Sequence, residues 1–142
     1  MIQYIDTSVL VAALTREIAT AQALAWLDSR VAGEVAISEW VVTEFSAALS
    51  IKVRRGDIDA TGQAAALATF SRLVADSLEV LPIADRHFRR AASFADRALL
   101  GLRAGDALHL AIAAEANAIL ATGDRKLATA AIAFGAASEL VW

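Results

Sequence analysis

Cysteine is absent from this chain of 142 residues, and proline occurs once. The first absence excludes disulfides, thiolate metal sites and cysteine nucleophiles, and it fits a reducing cytoplasm. The second argues for a helix-rich body and against disorder or a collagen-like repeat. There is no basic excess: the net charge is -3 and the pI about 5.3. The chain as a whole therefore does not attract nucleic acid, and any phosphate must be gripped locally. Long apolar runs are missing as well. Mean hydropathy is +0.53, but alanine drives much of it. The longest candidate, 108–114, is cut by Glu115 and Asn117. That is well short of the roughly 20 residues a membrane span needs. The N-terminus has no basic leader stretch and Asp6 interrupts its apolar segment, so no secretory signal is expected. With no internal repeat, low-complexity tract or linker, residues 1–142 are expected to form one domain with a sizeable core.

Short apolar runs alternate with longer helical patterns. Strands are predicted over 2–5, 35–37, within 78–83, and over 118–121, with a possible edge strand at 138–141. A helix follows Asp6-Thr7-Ser8. Another covers 20–31, with Ala21, Leu24, Ala25, Leu27 and Val31 on its inner side. Ser38 should cap a helix ending near Arg54, before Gly56. Asp59 should start one over 60–76, striped by Ala66, Leu67, Phe70, Leu73 and Val74. Asp85 should cap a helix reaching Leu100, Gly105 should precede one over 106–116, and a last one should span 125–134. This alternation predicts a three-layer α/β/α sandwich around a short, mostly parallel sheet. In such sheets ligands bind beyond the strands' carboxyl ends, where strand order reverses.

Four acids interrupt apolar surroundings: Asp6, Glu44, Asp106 and Asp124. Carboxylates that share a fold interior repel one another and resist leaving water unless a cation joins them, so the set suggests a divalent metal site. Each also has a plainer reading. Asp6 and Asp124 lie just past predicted strands, where an acid can simply cap the next helix. Glu44 falls at the border of the face formed by Val41, Val42, Phe45, Ala48 and Leu49, from which a glutamate can snorkel to water. Asp106 opens a helix that is apolar nearly all round, where the helix dipole alone favours an acid. His109, one turn on, reads better as a packed histidine than as a ligand.

Together, Asp6-Thr7-Ser8 after the first strand, Thr43-Glu44-Phe45-Ser46-Ala47-Ala48-Leu49, Gly105-Asp106-Ala107-Leu108-His109-Leu110-Ala111, and Thr122-Gly123-Asp124 with Leu127 resemble the PIN-domain ribonucleases. Among these the chain most resembles the VapC toxins of bacterial toxin–antitoxin pairs, over essentially its full length. The resemblance implies that Asp6, Glu44, Asp106 and Asp124 form an acidic quartet holding Mg²⁺ or Mn²⁺, with the Thr122 hydroxyl beside the last acid. Gly123 is a mild departure, since it puts no side chain between Thr122 and Asp124. The implied reaction is in-line attack of a metal-activated water on an RNA phosphodiester, leaving a 5′-phosphate and a 3′-hydroxyl. Such ions prefer oxygen ligands and keep several waters. Asp6, Asp106 and Asp124 are the expected ligands, and Glu44 ligates or positions the water. Thr7, Ser8 and Thr122 are candidates to orient carboxylates or touch phosphate, or else simple caps.

Only Lys52 and Lys126 among the 13 basic residues are lysine; the rest are arginine, the type suited to forked phosphate contacts. Lys52, Arg54 and Arg55 cluster at one helix end, and Arg86, Arg89, Arg90 and Arg97 stripe another, either for RNA or as solvated faces. Arg103, three residues before Asp106, is the better phosphate candidate. A shallow acidic site suits single-stranded or loop RNA. The toxin reading adds an antitoxin that covers the site, and a homodimer built on the apolar surface of Trp26, Trp40 and the alanine-rich helices. A housekeeping RNA-processing nuclease and a non-catalytic binding module are the alternatives. A receiver domain would need an acidic pair at its first strand, and a haloacid-dehalogenase-type phosphatase an Asp-x-Asp; Asp6-Thr7-Ser8 supplies neither.

Overall fold

The computed structural model describes all of residues 1–142. Its first strand, β1 (Gln3–Ile5), lies at the centre of a five-stranded parallel sheet. β2 (Val35–Ser38) and β4 (Ile119–Thr122) flank it, while β3 (Leu78–Leu81) and β5 (Ser138–Leu140) form the edges, giving the order β3-β2-β1-β4-β5. Tyr4 and Ile5 are fully buried, as expected of a central strand covered on both faces. In register, Tyr4 pairs with Ala36 on one side and with Leu120 on the other.

The helices are α1 (Thr7–Leu14), α2 (Thr20–Asp28), α3 (Glu39–Arg55), α4 (Ala60–Asp76), α5 (Asp85–Ala95), α6 (Ala104–Glu115) and α7 (Arg125–Ala133). From β1 to β3 the chain steps one way across the sheet; from β3 to β4 and β5 it steps the other way. Right-handed crossovers therefore send α1–α4 to one face and α5–α7 to the other. The packing agrees, with α1 against α2, α3 and α4, and α6 against α5 and α7. The reversal of strand order falls between β1 and β4, which fixes where a ligand site belongs.

One cluster of 27 buried residues forms the main core. α3 enters it through Val41, Phe45 and Leu49, spaced one turn apart. Phe45 meets Phe70 of α4 at 4.4 Å between ring centres. Burying each such ring contributes about 1.5–3 kcal/mol. The polar residues facing water on α3, Thr43 and Ser46, sit opposite this stripe. Gly56 ends the helix at φ 79°, a left-handed conformation that glycine adopts without the Cβ penalty. No helix of the chain is long and apolar enough to cross a membrane.

Several local expectations need correction. α2 stops at Asp28 and turns Ala23 and Trp26 inward. Leu24 and Val31 are exposed instead, because the Trp26 indole sets the phase of this short helix by reaching Glu139 Oε1 at 3.0 Å. Ala84, not Asp85, occupies the cap position of α5, and its N–H donates to His87 Nδ1 at 2.8 Å. That helix ends at Ala95; Ala98–Leu100 forms a separate 3-10 turn. α6 begins at Ala104, so Gly105 lies within its first turn rather than before it. Ser38 does precede α3, but its hydroxyl turns to Tyr4 instead of capping. Trp26 is buried and so offers no free apolar surface for dimer formation, whereas Trp40 is partly buried against the core.

Candidate metal centre

Two adjacent parallel strands deliver the first two acids. β1 ends at Ile5 and β4 at Thr122, which puts Asp6 and Asp124 on one rim of the sheet. Asp6 is 4% exposed and both of its oxygens are engaged. Ser8 donates to Oδ1 at 2.5 Å and Thr122 to Oδ2 at 2.6 Å. Each hydroxyl in turn accepts an N–H from the turn after β4: Ser8 from Gly123 at 3.1 Å, Thr122 from Asp124 at 2.9 Å. Asp6 is thus clamped to that turn, while each oxygen keeps a second lone pair. Burial pushes its pKa up, against the opposing pull of His109, of the two hydroxyls and of the Val9 N–H.

Asp124 caps α7, accepting through Oδ1 from Lys126 N at 2.8 Å and Leu127 N at 3.3 Å. This is the plain capping role the sequence allows, and it leaves Oδ2 uncommitted. Asp106 stands in the first turn of α6, whose residues Ala107 to Ala113 are all buried. Burial raises its pKa, and the charge of Asp124 raises it further; His109 opposes this, Asp6 adds to it, and Arg103 opposes it again. Three segments far apart in sequence therefore bring Asp6, Asp106 and Asp124 into electrostatic contact.

Glu44 is placed differently. Its Oε1 accepts from the Thr7 hydroxyl at 2.7 Å and is bonded to His109 Nε2. The other ring nitrogen, Nδ1, meets the Tyr4 hydroxyl at 2.9 Å, which also meets Ser38 Oγ at 2.8 Å. Burial raises Glu44, but the His109 bond, its charge and the Thr7 hydroxyl outweigh it and leave the pKa below the ordinary glutamate value. Desolvation drives the Tyr4 phenol far up, so it stays a neutral hydrogen-bonding bridge. Gly105 explains its own presence here. A Cβ at that position would lie 2.9 Å from Glu44 Oε2 and 3.2 Å from Trp40 Nε1, a buried donor with no partner.

His109 is the packed histidine the sequence suggests, buried on α6 and bonded at both nitrogens. The link from Ser38 through Tyr4 and His109 to Glu44 was not visible in the sequence. The signal, in retrospect, is the spacing of Asp106 and His109 on one face of a buried helix. Among the basic residues, Arg103 holds the cap position of α6 near Asp106. Much of the rest is engaged elsewhere: Lys52 pairs with Glu17 at 3.0 Å, Arg86 with Glu115 at 2.6 Å, and Arg90 and Arg97 lie over Phe94 and Phe134.

The sequence profile of the PIN domain matches residues 3–133. The chain belongs to the PIN domain family. PIN domains are nucleases that generally use divalent metal ions. No curated protein sequence is significantly similar to this chain. Among solved structures, PAE2754 from Pyrobaculum aerophilum is 25% identical, with a TM-score of 0.68 over 97% of this PIN domain and 90% of that chain. Mycobacterium tuberculosis VapC20, described as a sarcin–ricin loop cleaving toxin, is 18% identical with a TM-score of 0.71, over 90% and 94% of the two chains. A chain of Rickettsia felis VapBC2, solved on a DNA fragment from its promoter, is 17% identical with a TM-score of 0.69, over 99% and 98%. At these identities the last two likenesses speak for the fold.

Whether the PIN acids suit an ion can be judged from their chemistry. All available donors are oxygens, and Asp6 and Asp124 each keep free lone pairs on the same rim, a set that fits hard cations. No three acids or histidines stand close enough together to form a ready-made shell. The set fits an ion that keeps most of its waters and takes one or two carboxylates directly, the usual habit of Mg²⁺.

Proposed function

We propose that this PIN domain is a metal-dependent endoribonuclease acting in the cytoplasm as the toxin of a toxin–antitoxin pair. The observation that carries the reading is the coupling of Asp106, fixed on a buried helix, to Asp6 and Asp124 at the ends of β1 and β4. A half-buried acid whose proton affinity is raised by burial and by two neighbouring carboxylates at a topological switch point is costly to maintain without a cationic ligand. Asp6, Asp106 and Asp124 would hold Mg²⁺ or Mn²⁺. When bound, the ion would activate a water and offset charge on the phosphate oxygens.

The chain's own residues do the rest. Ser8 and Thr122 fix both oxygens of Asp6 and tie it to the Asp124 turn. Thr7 and His109 hold Glu44 by one oxygen, leaving Oε2 to orient a water or a ligand. Arg103, at the head of α6, would meet a phosphate oxygen. Single-stranded or loop RNA suits a rim site of this kind, where an unpaired backbone can approach. A description of VapC20 as a loop-cleaving toxin, and of VapBC2 as a complex on promoter DNA, supports the toxin assignment and an antitoxin partner. A basic antitoxin side chain would neutralise the acids when it covers the site. A homodimer belongs to the same reading, with exposed Leu99 and Ile132 supplying apolar surface in place of Trp26.

The test is cleavage of total RNA with and without EDTA, wild type against Asp106→Asn. Metal-dependent cleavage lost in the variant is expected; no cleavage with any added divalent ion overturns the enzyme and leaves a binding module. Expression alone should arrest growth, and a neighbouring gene product should relieve the arrest. Cleavage without arrest would instead make this a housekeeping nuclease.

A further inference from the structure

Beside Glu44 lies a cavity of about 410 Å³, walled by α1 through Thr7, Ser8 and Val11, by α3 through Glu44, Ala48 and Ile51, and by Glu17 and Trp142. Its size falls within the roughly 300–1,000 Å³ typical of small-molecule sites. It shares Thr7, Ser8 and Glu44 with the acidic rim, so whatever occupies it is a direct neighbour of the reacting group.

Trp142 is the unusual wall. Its indole lies flat against Gly123: a Cβ there would fall 1.9 Å from Cζ2, so any other residue would displace the ring. This accounts for the glycine between Thr122 and Asp124. The Val141 N–H donates to the Thr122 carbonyl at 2.9 Å, which anchors the backbone just before the tryptophan. The ring is therefore held in place by the same turn that carries Asp124, and little side-chain entropy remains to be lost when something stacks on it. The cavity's charged walls are both carboxylates, Glu44 and Glu17. A phosphate is repelled by them, whereas a neutral base is not. Lys52, 3.0 Å from Glu17, keeps that second carboxylate in place at the rim.

We propose that this cavity seats the base of the nucleotide next to the scissile phosphate, stacked on Trp142 with its edge toward Glu17. The inference rests on the ribonuclease reading above and names its substrate more closely. Base–aromatic stacking is tolerant of sequence because every base has a π-face. A carboxylate, however, only accepts hydrogen bonds. Uracil's one donor, the ring N3–H, is flanked by two carbonyl oxygens that a carboxylate repels, so bases that carry an exocyclic amine, adenine and cytosine among them, are favoured over it. The unpaired base must leave its own stack to enter, which selects single strands and loops over duplex.

The experiment measures binding of labelled single-stranded oligo(A), oligo(C) and oligo(U) to full-length Asp106→Asn protein in EDTA, so that affinity is read without turnover. Wild-type cleavage of total RNA with added Mg²⁺ is followed in parallel. Oligo(A) and oligo(C) are expected to bind more tightly than oligo(U). Adding Trp142→Ala should weaken them about 5- to 150-fold, the range of one lost stack. Trp142→Phe should restore most of the affinity, and Glu17→Gln should narrow the gap between oligo(C) and oligo(U). Unchanged affinity in a cooperatively folded Trp142→Ala protein overturns the base seat while metal-dependent cleavage by the wild type leaves the nuclease standing. Equal loss in the Ala and Phe variants, both folded, also overturns it. If Trp142→Ala spares RNA binding yet abolishes inhibition by the neighbouring gene product, the cavity belongs to a protein side chain and the proposal falls. A wild type that neither cleaves nor binds RNA overturns both readings.

Discussion

Replacing Gly105 with alanine puts the site geometry to a direct trial. The new methyl would lie 2.9 Å from Glu44 Oε2 and 3.2 Å from Trp40 Nε1. Contacts that short are not tolerated, so one party must move. Trp40 is packed on the core, and α6 is buried from Ala107 to Ala113, which leaves the Glu44 carboxylate as the softest neighbour. Its movement pulls on the Thr7 bond at 2.7 Å and on the His109 bond. Alanine gains up to about 1 kcal/mol over glycine in a helix. Losing a hydrogen bond to a charged group costs about 1.5–3 kcal/mol. The difference is a net loss of about 0.5–2 kcal/mol, which lowers Tm by about 2–8 °C in a domain of this size. The protein stays folded at 25 °C, but displacement of a positioned group by about 1 Å reduces turnover on the order of 100-fold. Gly62→Ala, in the first turn of α4 with Asp59 Oδ1 at 3.3 Å and Ile58 Cβ at 3.6 Å from the new methyl, serves as the control for helix propensity. Initial rates on a labelled RNA, paired with thermal melts, give both numbers. Gly105→Ala protein that cleaves within about threefold of wild type, with an unchanged or higher Tm, would show that the placement of Glu44 is not needed.

Other expectations follow from the same geometry. Asp106→Asn should abolish cleavage yet raise the Tm of the metal-free protein at neutral pH. The folded pKa of Asp106 is raised, so the fold favours the protonated acid and ionisation weakens it; stability is recovered as pH falls toward that pKa. A lower Tm for the variant at pH 7 would contradict this. Glu44 has the opposite sign. Its contribution is present above its unfolded pKa and is lost as pH falls through the lower folded one, so the melting temperature of His109→Leu should depend less on pH across the acid range than that of wild type. The same variant should lose about 1–3 kcal/mol from the acceptor left unpaired, read by denaturant titration. Mg²⁺ should raise the Tm of wild type more than that of Asp106→Asn, and equal shifts would place the ion elsewhere. Phe45→Ala should lose about 3–5 kcal/mol, with the Phe70 contact gone.

The layered α/β frame could be anticipated because strand and helix differ in period and the strands buried on both faces are plainly apolar. Asp6 and Asp124 were placed on a common rim for the same reason: both follow a strand, and parallel strands end together. Glu44 showed itself by sitting at the edge of an apolar stripe. The sequence was silent on what Glu44 does with its oxygens, since the Thr7 and His109 partners come from other elements. It misplaced the inner face of α2, where a single indole bonded to Glu139 outweighs the run of alanines and leucines. Nothing in local pattern links Gly123 to Trp142, because that contact is made by two residues whose spacing follows no period.

Because β1 is flanked by β2 and β4, it pairs early with one neighbour and must wait for more than eighty further residues before the other is made. Ile5 pairs with Ala121, and the clamp on Asp6 needs Thr122 and Gly123. Closure across such a separation is slow and comes late. Nascent chains that stop short of residue 117 are expected to leave the β1 amides open to hydrogen exchange on that edge, and protection there would refute the idea.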